Sequence, residues 1–239
     1  MKKLGIIGAM QVEVEILLGE MENRQERVIG GSTFHAGKLE GLDVVVVQCG
    51  VGKVNAAMCA QILCGCFGVT HLVNTGIAGS LNAELDIGDL VVSTDAMYHD
   101  FDCTHFGYPY GRVPGMDVTA FPADRLLSDL AFAAAEQGNP GHTRRGRIAS
   151  GDRFVAEKSV KEGIIAATGG LCTEMEGAAI AQTAYRNGVP FVILRAISDK
   201  ADDSAQMDYP TFETLSAHRC AQVTNRMAHM LLEEEILHS

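Results

Sequence analysis

Residues 174–199 read EMEGAAIAQTAYRNGVPFVILRAISD. Glu174-Met175-Glu176 opens the segment, and Gly177 to Asn187 has a helix-like pattern. Gly188-Val189-Pro190 makes a turn, Phe191 to Leu194 is an apolar run, and Arg195-Ala196-Ile197-Ser198-Asp199 closes it. Read as strand, helix, strand, the segment predicts Glu176 and Asp199 at the carboxyl ends of neighbouring parallel strands. That is the edge where open α/β sheets bind ligands. A third carboxylate, Glu13, follows another strand-like run, Leu4-Gly5-Ile6-Ile7. Three carboxylates and Arg195 at one sheet edge suit acid–base chemistry on a polar small molecule.

The same alternation runs outward through the chain. Leu4–Gly8 reads as a strand and Gln11–Met21 as a helix. Thr33–Leu39 and Leu42–Cys49 flank the Glu40-Gly41 turn and read as a hairpin. Val54–Cys66 reads as a helix, Thr70–Thr75 and Gly88–Thr94 as strands, and Ala123–Glu136 as a helix. Arg147–Ser150 is strand-like, Lys158–Thr168 helical, and Tyr209 to Leu237 a long amphipathic helix. No linker, repeat or low-complexity tract interrupts this order. The expected fold is α/β, a single domain over residues 1–239 with a central mixed, largely parallel sheet flanked by helices.

Composition narrows the function. The 239 residues carry 19 basic and 30 acidic side chains, a net charge of -11. Nucleic-acid binding needs clustered Lys and Arg, and no basic stripe exists. The apolar runs fall short of the roughly 20 residues a membrane span requires. The N-terminus enters an apolar strand pattern with no signal peptide before it, so a cytoplasmic protein is expected. Seven cysteines at irregular spacing read as reduced thiols. The run from His99 to His105 matches no standard metal-ligand spacing.

Gly8, Gly50, Gly76, Gly79 and Gly151 sit where strands should end, which suggests a cradle that lets backbone approach a ligand. Gly5-Ile6-Ile7-Gly8 does not match the dinucleotide fingerprint GxGxxG. A ribonucleoside suits the remaining groups. Glu176 can accept both hydroxyls of a ribose diol, with Arg195 orienting it. Asp199, if its pKa is raised, can give a proton to a purine nitrogen, and Glu13 can activate a water across the sugar. That division of labour is inverting glycoside hydrolysis. Other readings stay open from pattern alone. Glu13 can complement a helix dipole. Glu174 or Glu176 can cap the following helix. Asp199 and Asp202-Asp203 can be a solvated loop, and Met10, Met175 and Phe154 can be core.

Further stretches carry a family likeness: Gly5–Met10 with Glu13, Gly50–Ala56, Asn74–Gly79, Tyr98-His99-Asp100 with Phe106-Gly107-Tyr108, and Ser150–Phe154. With the 174–176 and 195–199 motifs, the chain resembles the bacterial 5′-methylthioadenosine/S-adenosylhomocysteine nucleosidases of the purine nucleoside phosphorylase superfamily, over essentially its whole length. The resemblance implies a nucleoside phosphorylase-like fold and hydrolysis of the N-glycosidic bond of these 5′-modified adenosines, without metal or cofactor. It implies Glu13 as water-activating base and Asp199 as the acid protonating adenine N7, with Ser198 holding it. It implies ribose-diol contacts from Glu176 and the Met175 backbone, with Arg195 beside them. Phe154 would stack on adenine and the Val155 backbone would read its edge. Met10, Val51, Ile77 and Tyr209 would line the sugar and alkylthio region. Phe106 and Pro114 would reach into a partner's site in a homodimer. Many members carry Ser where this chain has Ile77 and Gly where it has Ser80, which implies an altered pocket near the sugar. Two rivals are a phosphorylase of the same fold and a non-catalytic nucleoside-binding protein. The first would need cationic groups around the nucleophile site. The second is disfavoured because both Glu13 and Asp199 are present.

Overall fold

The computed structural model describes residues 2–202 and 204–237, so Asp203 lies outside the described residues. The chain builds one ten-stranded mixed sheet with helices on both faces. Its first half runs β1 (Lys3–Gly8), α1 (Gln11–Glu20), β2 (Glu22–Ile29), β3 (Ser32–Leu39), β4 (Leu42–Gln48) and α2 (Lys53–Ile62). A π-helical turn, Leu63–Phe67, leads to β5 (His71–Ser80) and β6 (Leu90–Tyr98), then the two-residue β7 (Phe121–Pro122). The second half is α3 (Arg125–Gly138), β8 (Thr143–Ser150), α4 (Lys158–Thr168), β9 (Cys172–Glu174), α5 (Gly177–Asn187), β10 (Phe191–Asp199) and α6 (Ala205–Leu237).

The side-chain alternation of the central strands explains the layers. In β1, Leu4 and Ile6 join one apolar cluster and Ile7 the other. In β4, Val44 and Val46 face the first, Val45 and Val47 the second. A strand buried on both faces needs this near-continuous apolar run, since successive side chains point opposite ways. Val14, Leu17, Leu127, Ala131, Cys220 and Leu231 put α1, α3 and α6 on the first face. Ala56, Ala60, Ala178, Ala181 and Ala184 put α2 and α5 on the second.

The strand order is β10-β6-β8-β9-β5-β1-β4-β3-β2, and β10 also pairs with β5. Strands β5, β10, β6, β8 and β9 therefore close into a ring, from which β1, β4, β3 and β2 extend. Parallel pairings join β4, β1, β5 and β10, and also β6, β8 and β9. Antiparallel contacts stitch the two sets together at β10–β6 and β5–β9.

This corrects one expectation. Glu176 and Asp199 do not end neighbouring parallel strands. Strand β9 stops at Glu174 and runs antiparallel to β5, and β5 separates it from β10. The ring closure still brings both carboxylates to one place. Strand β2 was not expected at all. Strand β5 runs on past Thr75 to Ser80, and β10 continues past Leu194 to Asp199.

Candidate active site

A cleft opens where β1, β5, β9 and β10 end. Eleven of the expected residues line it: Met10, Glu13, Val51, Ile77, Phe154, Val155, Met175, Glu176, Ser198, Asp199 and Tyr209. Arg195 does not. It lies behind the wall, 1% exposed, as the largest fully buried side chain among the described residues. Phe106, 77% exposed, and Pro114 lie elsewhere on the surface of the single chain. Gly79, one of the glycines expected to form a cradle, joins the lining, and Ala9, Ala78, Arg153, Thr173 and Glu174 complete it without having been assigned a ligand contact.

Glu13 sits in the first turn of α1, behind Met10. Its Oε2 accepts the Ala9 and Met10 N–H groups at 2.6 and 2.9 Å. Its Oε1 accepts the Ile77 N–H of β5 at 3.0 Å. Burial raises its pKa above the usual carboxylate range, opposed by the Arg195 charge and these N–H groups. The close approach depends on Gly76, because a Cβ there would fall on Glu13 Oε1 and Arg195 Nη1.

Asp199 is aimed by a distortion. The β10–β5 register shifts between Ile197 and Asp199, and bulges of this kind re-aim side chains beside functional clefts. Asp199 Oδ2 accepts the Ser198 hydroxyl at 2.9 Å and Oδ1 accepts the Ala201 N–H at 2.8 Å. Ala201 adopts φ 52 to make that bond. Burial raises the Asp199 pKa, with Ala201 and Ser198 pulling against it. A Cβ at Gly79 would strike Asp199 Oδ1. Asp199 thus abuts Gly79 while Glu13 abuts Gly76, both on β5, and the two acids line the same cleft.

Glu174 organises the floor. Its Oε2 accepts the Glu176 and Gly177 N–H groups at 3.0 and 2.7 Å, satisfying the first turn of α5. It also takes a hydrogen bond from Arg195, and Ser150 donates its hydroxyl to Oε1. Of the two acids that pattern left as candidate caps, Glu174 is the cap. Glu176 is left free to face the cleft. Its Oε1 accepts the Gly52 N–H at 2.8 Å, and its Oε2 lies 3.8 Å from Arg195. Burial and then the neighbouring Glu174 charge push the Glu176 pKa up to about 7, against Arg195 and the Gly52 N–H. Arg195 also donates to Asn74. Burial works against its charge, but Glu174, Glu13 and Glu176 more than offset this and hold it protonated. Arg195 is therefore a buried counter-charge shared by three acids.

The cleft's apolar walls come from the loops after β1 and β8 together with β5 and α6. Phe154 meets the Tyr209 ring edge-on at 5.4 Å, and the Tyr209 hydroxyl rests 3.2 Å from Met10 Sδ. Ile77 turns an apolar side chain into the cleft. Ser80 is buried outside the lining and donates its hydroxyl to the Asn82 carbonyl. Of the two departures noted in the sequence, only Ile77 touches the site. Among the described residues no cluster of His, Cys, Asp and Glu could hold a metal ion, and no helix is long and apolar enough to cross a membrane.

Residues 3–229 match the family model described as the phosphorylase superfamily. The 5′-methylthioadenosine/S-adenosylhomocysteine nucleosidase of Halalkalibacterium halodurans is 43% identical over 220 residues, covering 91% of this chain and 94% of that protein. The crystal structure of the Neisseria meningitidis nucleosidase in complex with methylthio-immucillin-A matches with a TM-score of 0.93 at 36% identity, covering 96% of this chain and 100% of that one. The futalosine hydrolase of Helicobacter pylori matches with a TM-score of 0.89 at 34% identity, covering 95% and 97%. Agreement in both sequence and fold, over nearly the full length of this chain and its relatives, assigns the chain to the 5′-methylthioadenosine/S-adenosylhomocysteine nucleosidase family of the phosphorylase superfamily.

Proposed function

We propose that the protein hydrolyses the N-glycosidic bond of 5′-methylthioadenosine and S-adenosylhomocysteine, releasing adenine and the 5-substituted ribose. The observation that carries this reading is that Glu13, Asp199 and Glu176 line one cleft. Asp199, its pKa raised by burial, gives a proton to adenine N7 and makes the base a better leaving group. The departing sugar acquires oxocarbenium character. Glu13, whose burial strengthens it as a base, takes a proton from the water that attacks C1′. Glu176 accepts the ribose diol, and Arg195 steadies Glu176 from behind. Phe154 supplies a face for adenine, the Val155 and Met175 backbones supply polar contacts, and Met10, Val51, Ile77 and Tyr209 enclose the sugar and its 5′ tail. No cofactor enters this scheme.

Phosphorolysis is poorly supported. A phosphate dianion would meet Glu13, and the buried Arg195 is already engaged by Glu174 and Asn74. Purified protein should release adenine from methylthioadenosine in phosphate-free buffer, at a rate that added phosphate leaves unchanged. Release that depends on phosphate would make the protein a phosphorylase and remove Glu13 as base. No release in either buffer would favour a binding role or another 5′ substituent, such as that of futalosine.

The same reading takes the protein to be a cytoplasmic homodimer, its cysteines reduced. Phe106, Val54 and Met58 are large apolar side chains left facing water, as contact surfaces often are. In a dimer Phe106 and Pro114 would complete the partner's cleft. Sedimentation at micromolar concentration should find the dimer, and Phe106→Ala should raise KM. An active monomer would overturn the shared site.

A further inference from the structure

Two loops that carry cleft residues are tied together outside the cleft, through the turn that follows β6. Lys53, the first residue of α2, follows Val51 and Gly52. Its backbone N–H donates to Asp152 Oδ1 at 2.8 Å. Its ammonium donates to Asp100 Oδ2 at 2.6 Å and lies 3.6 Å from Asp152 Oδ2. The same Asp100 Oδ2 accepts the Asp152 N–H at 2.9 Å. The Lys53 ammonium also sits 5.5 Å above the Tyr98 ring. As a bare ion pair at 22% and 28% exposure, Lys53–Asp100 would count for little. Here the two aspartates also take backbone N–H groups, so the charges fix main chain rather than side chain alone.

We infer that Asp152, with Lys53 and Asp100, is a positioning clamp that holds the Gly52 N–H on Glu176 and sets the Val51 wall against the Phe154 loop. Gly52 adopts φ 98, which points its N–H at Glu176 while the next N–H turns to Asp152. An added Cβ at Gly52 would lie 3.2 Å from Asp152 Oδ1, so the aspartate packs directly beneath the turn. Asp152 caps α2 from the loop after β8, because the N-cap residue, a glycine, has no side chain to do so. Two positions on, the same loop carries Phe154 and Val155 into the cleft. Binding of the ribose and stacking of the base are thereby set by one electrostatic joint that touches neither.

The kinetic part of this inference rests on the nucleosidase reading; the structural part does not. Glu176 is faced by Glu174 from β9, Arg195 from β10, Glu13 from α1 and the neutral Cys49 thiol after β4, besides the Gly52 N–H. Only the ionised carboxylate accepts the diol, so kcat/KM falls as pH drops through the Glu176 pKa. Losing the Gly52 N–H raises that pKa and moves the acid limb to higher pH.

The test compares D152A, D152N and K53M with wild type. In D152A the Gly52 and Lys53 amides should exchange with solvent faster, KM for methylthioadenosine should rise about tenfold, and the acid limb should move up. D152N keeps an acceptor for the Lys53 N–H and should recover part of the loss; K53M should fall between. Unchanged amide exchange in D152A overturns the clamp. So does a loss confined to kcat with the acid limb unmoved. If wild type shows no turnover, the nucleosidase reading fails, and amide exchange alone decides the clamp.

Discussion

Asp199→Asn is expected to cut kcat by roughly a thousandfold, the range that loss of a general acid produces, while methylthioadenosine still binds. The substitution removes the proton and almost no volume. Asp199 has one fixed donor, the Ala201 N–H, and one adaptable partner, the Ser198 hydroxyl. An asparagine oxygen keeps the first bond. Its NH2 group can face Ser198, whose hydroxyl turns to accept. The bulge at Ile197 and the φ 52 of Ala201 therefore persist, and Tm should barely move. Single-turnover adenine release and calorimetric binding of the substrate measure the two halves separately. Near-normal turnover would remove Asp199 as the acid. Lost binding would mean that the residue holds the site rather than working in it.

How far the sequence reveals this site depends on what each residue signals locally. Lys158–Thr168 and Gly177–Asn187 are found at the bounds their patterns predict, because each has a regular apolar face and a glycine in the left-handed conformation just beyond its end. Strand β2, ENRQERVI, gives no such sign. Its side chains are almost all exposed, and it pairs only with β3, so nothing apolar alternates along it. The ring closure is also invisible locally. It depends on β5 pairing with β9 on one side and β10 on the other, contacts far apart in sequence. That is why Glu176 and Asp199 share a cleft without being on adjacent strands. Asn74 and Ser150 open two of the stretches that carry the family likeness but had no role assigned, although both are buried and hold the charged floor. A polar residue within an otherwise apolar strand was the available signal at Asn74. Arg195 was identified, but its place behind the acids follows from burial, which spacing does not encode.

Glu13→Gln should be equally damaging to catalysis and, unlike Asp199→Asn, should also cost stability. A glutamine cannot take the water's proton, so adenine release should fall by roughly 10²–10⁴-fold. The difference lies in the partners. Both Glu13 oxygens accept from backbone N–H groups, Ala9 and Met10 on one and Ile77 on the other. Neither end can turn to receive an NH2 group. The best compromise keeps the amide oxygen on the Ala9–Met10 pair and sets the NH2 against the Ile77 N–H. A buried donor left unpaired costs about 1–3 kcal/mol, which in a chain of this size lowers Tm by several degrees. Arg195 also loses one of the charges that offset its burial, which adds to the cost. Thermal unfolding of the two variants side by side reads this asymmetry directly. A Glu13→Gln protein as stable as Asp199→Asn would mean that the carboxylate is not held by these N–H groups. Retained hydrolysis would mean that another group activates the water.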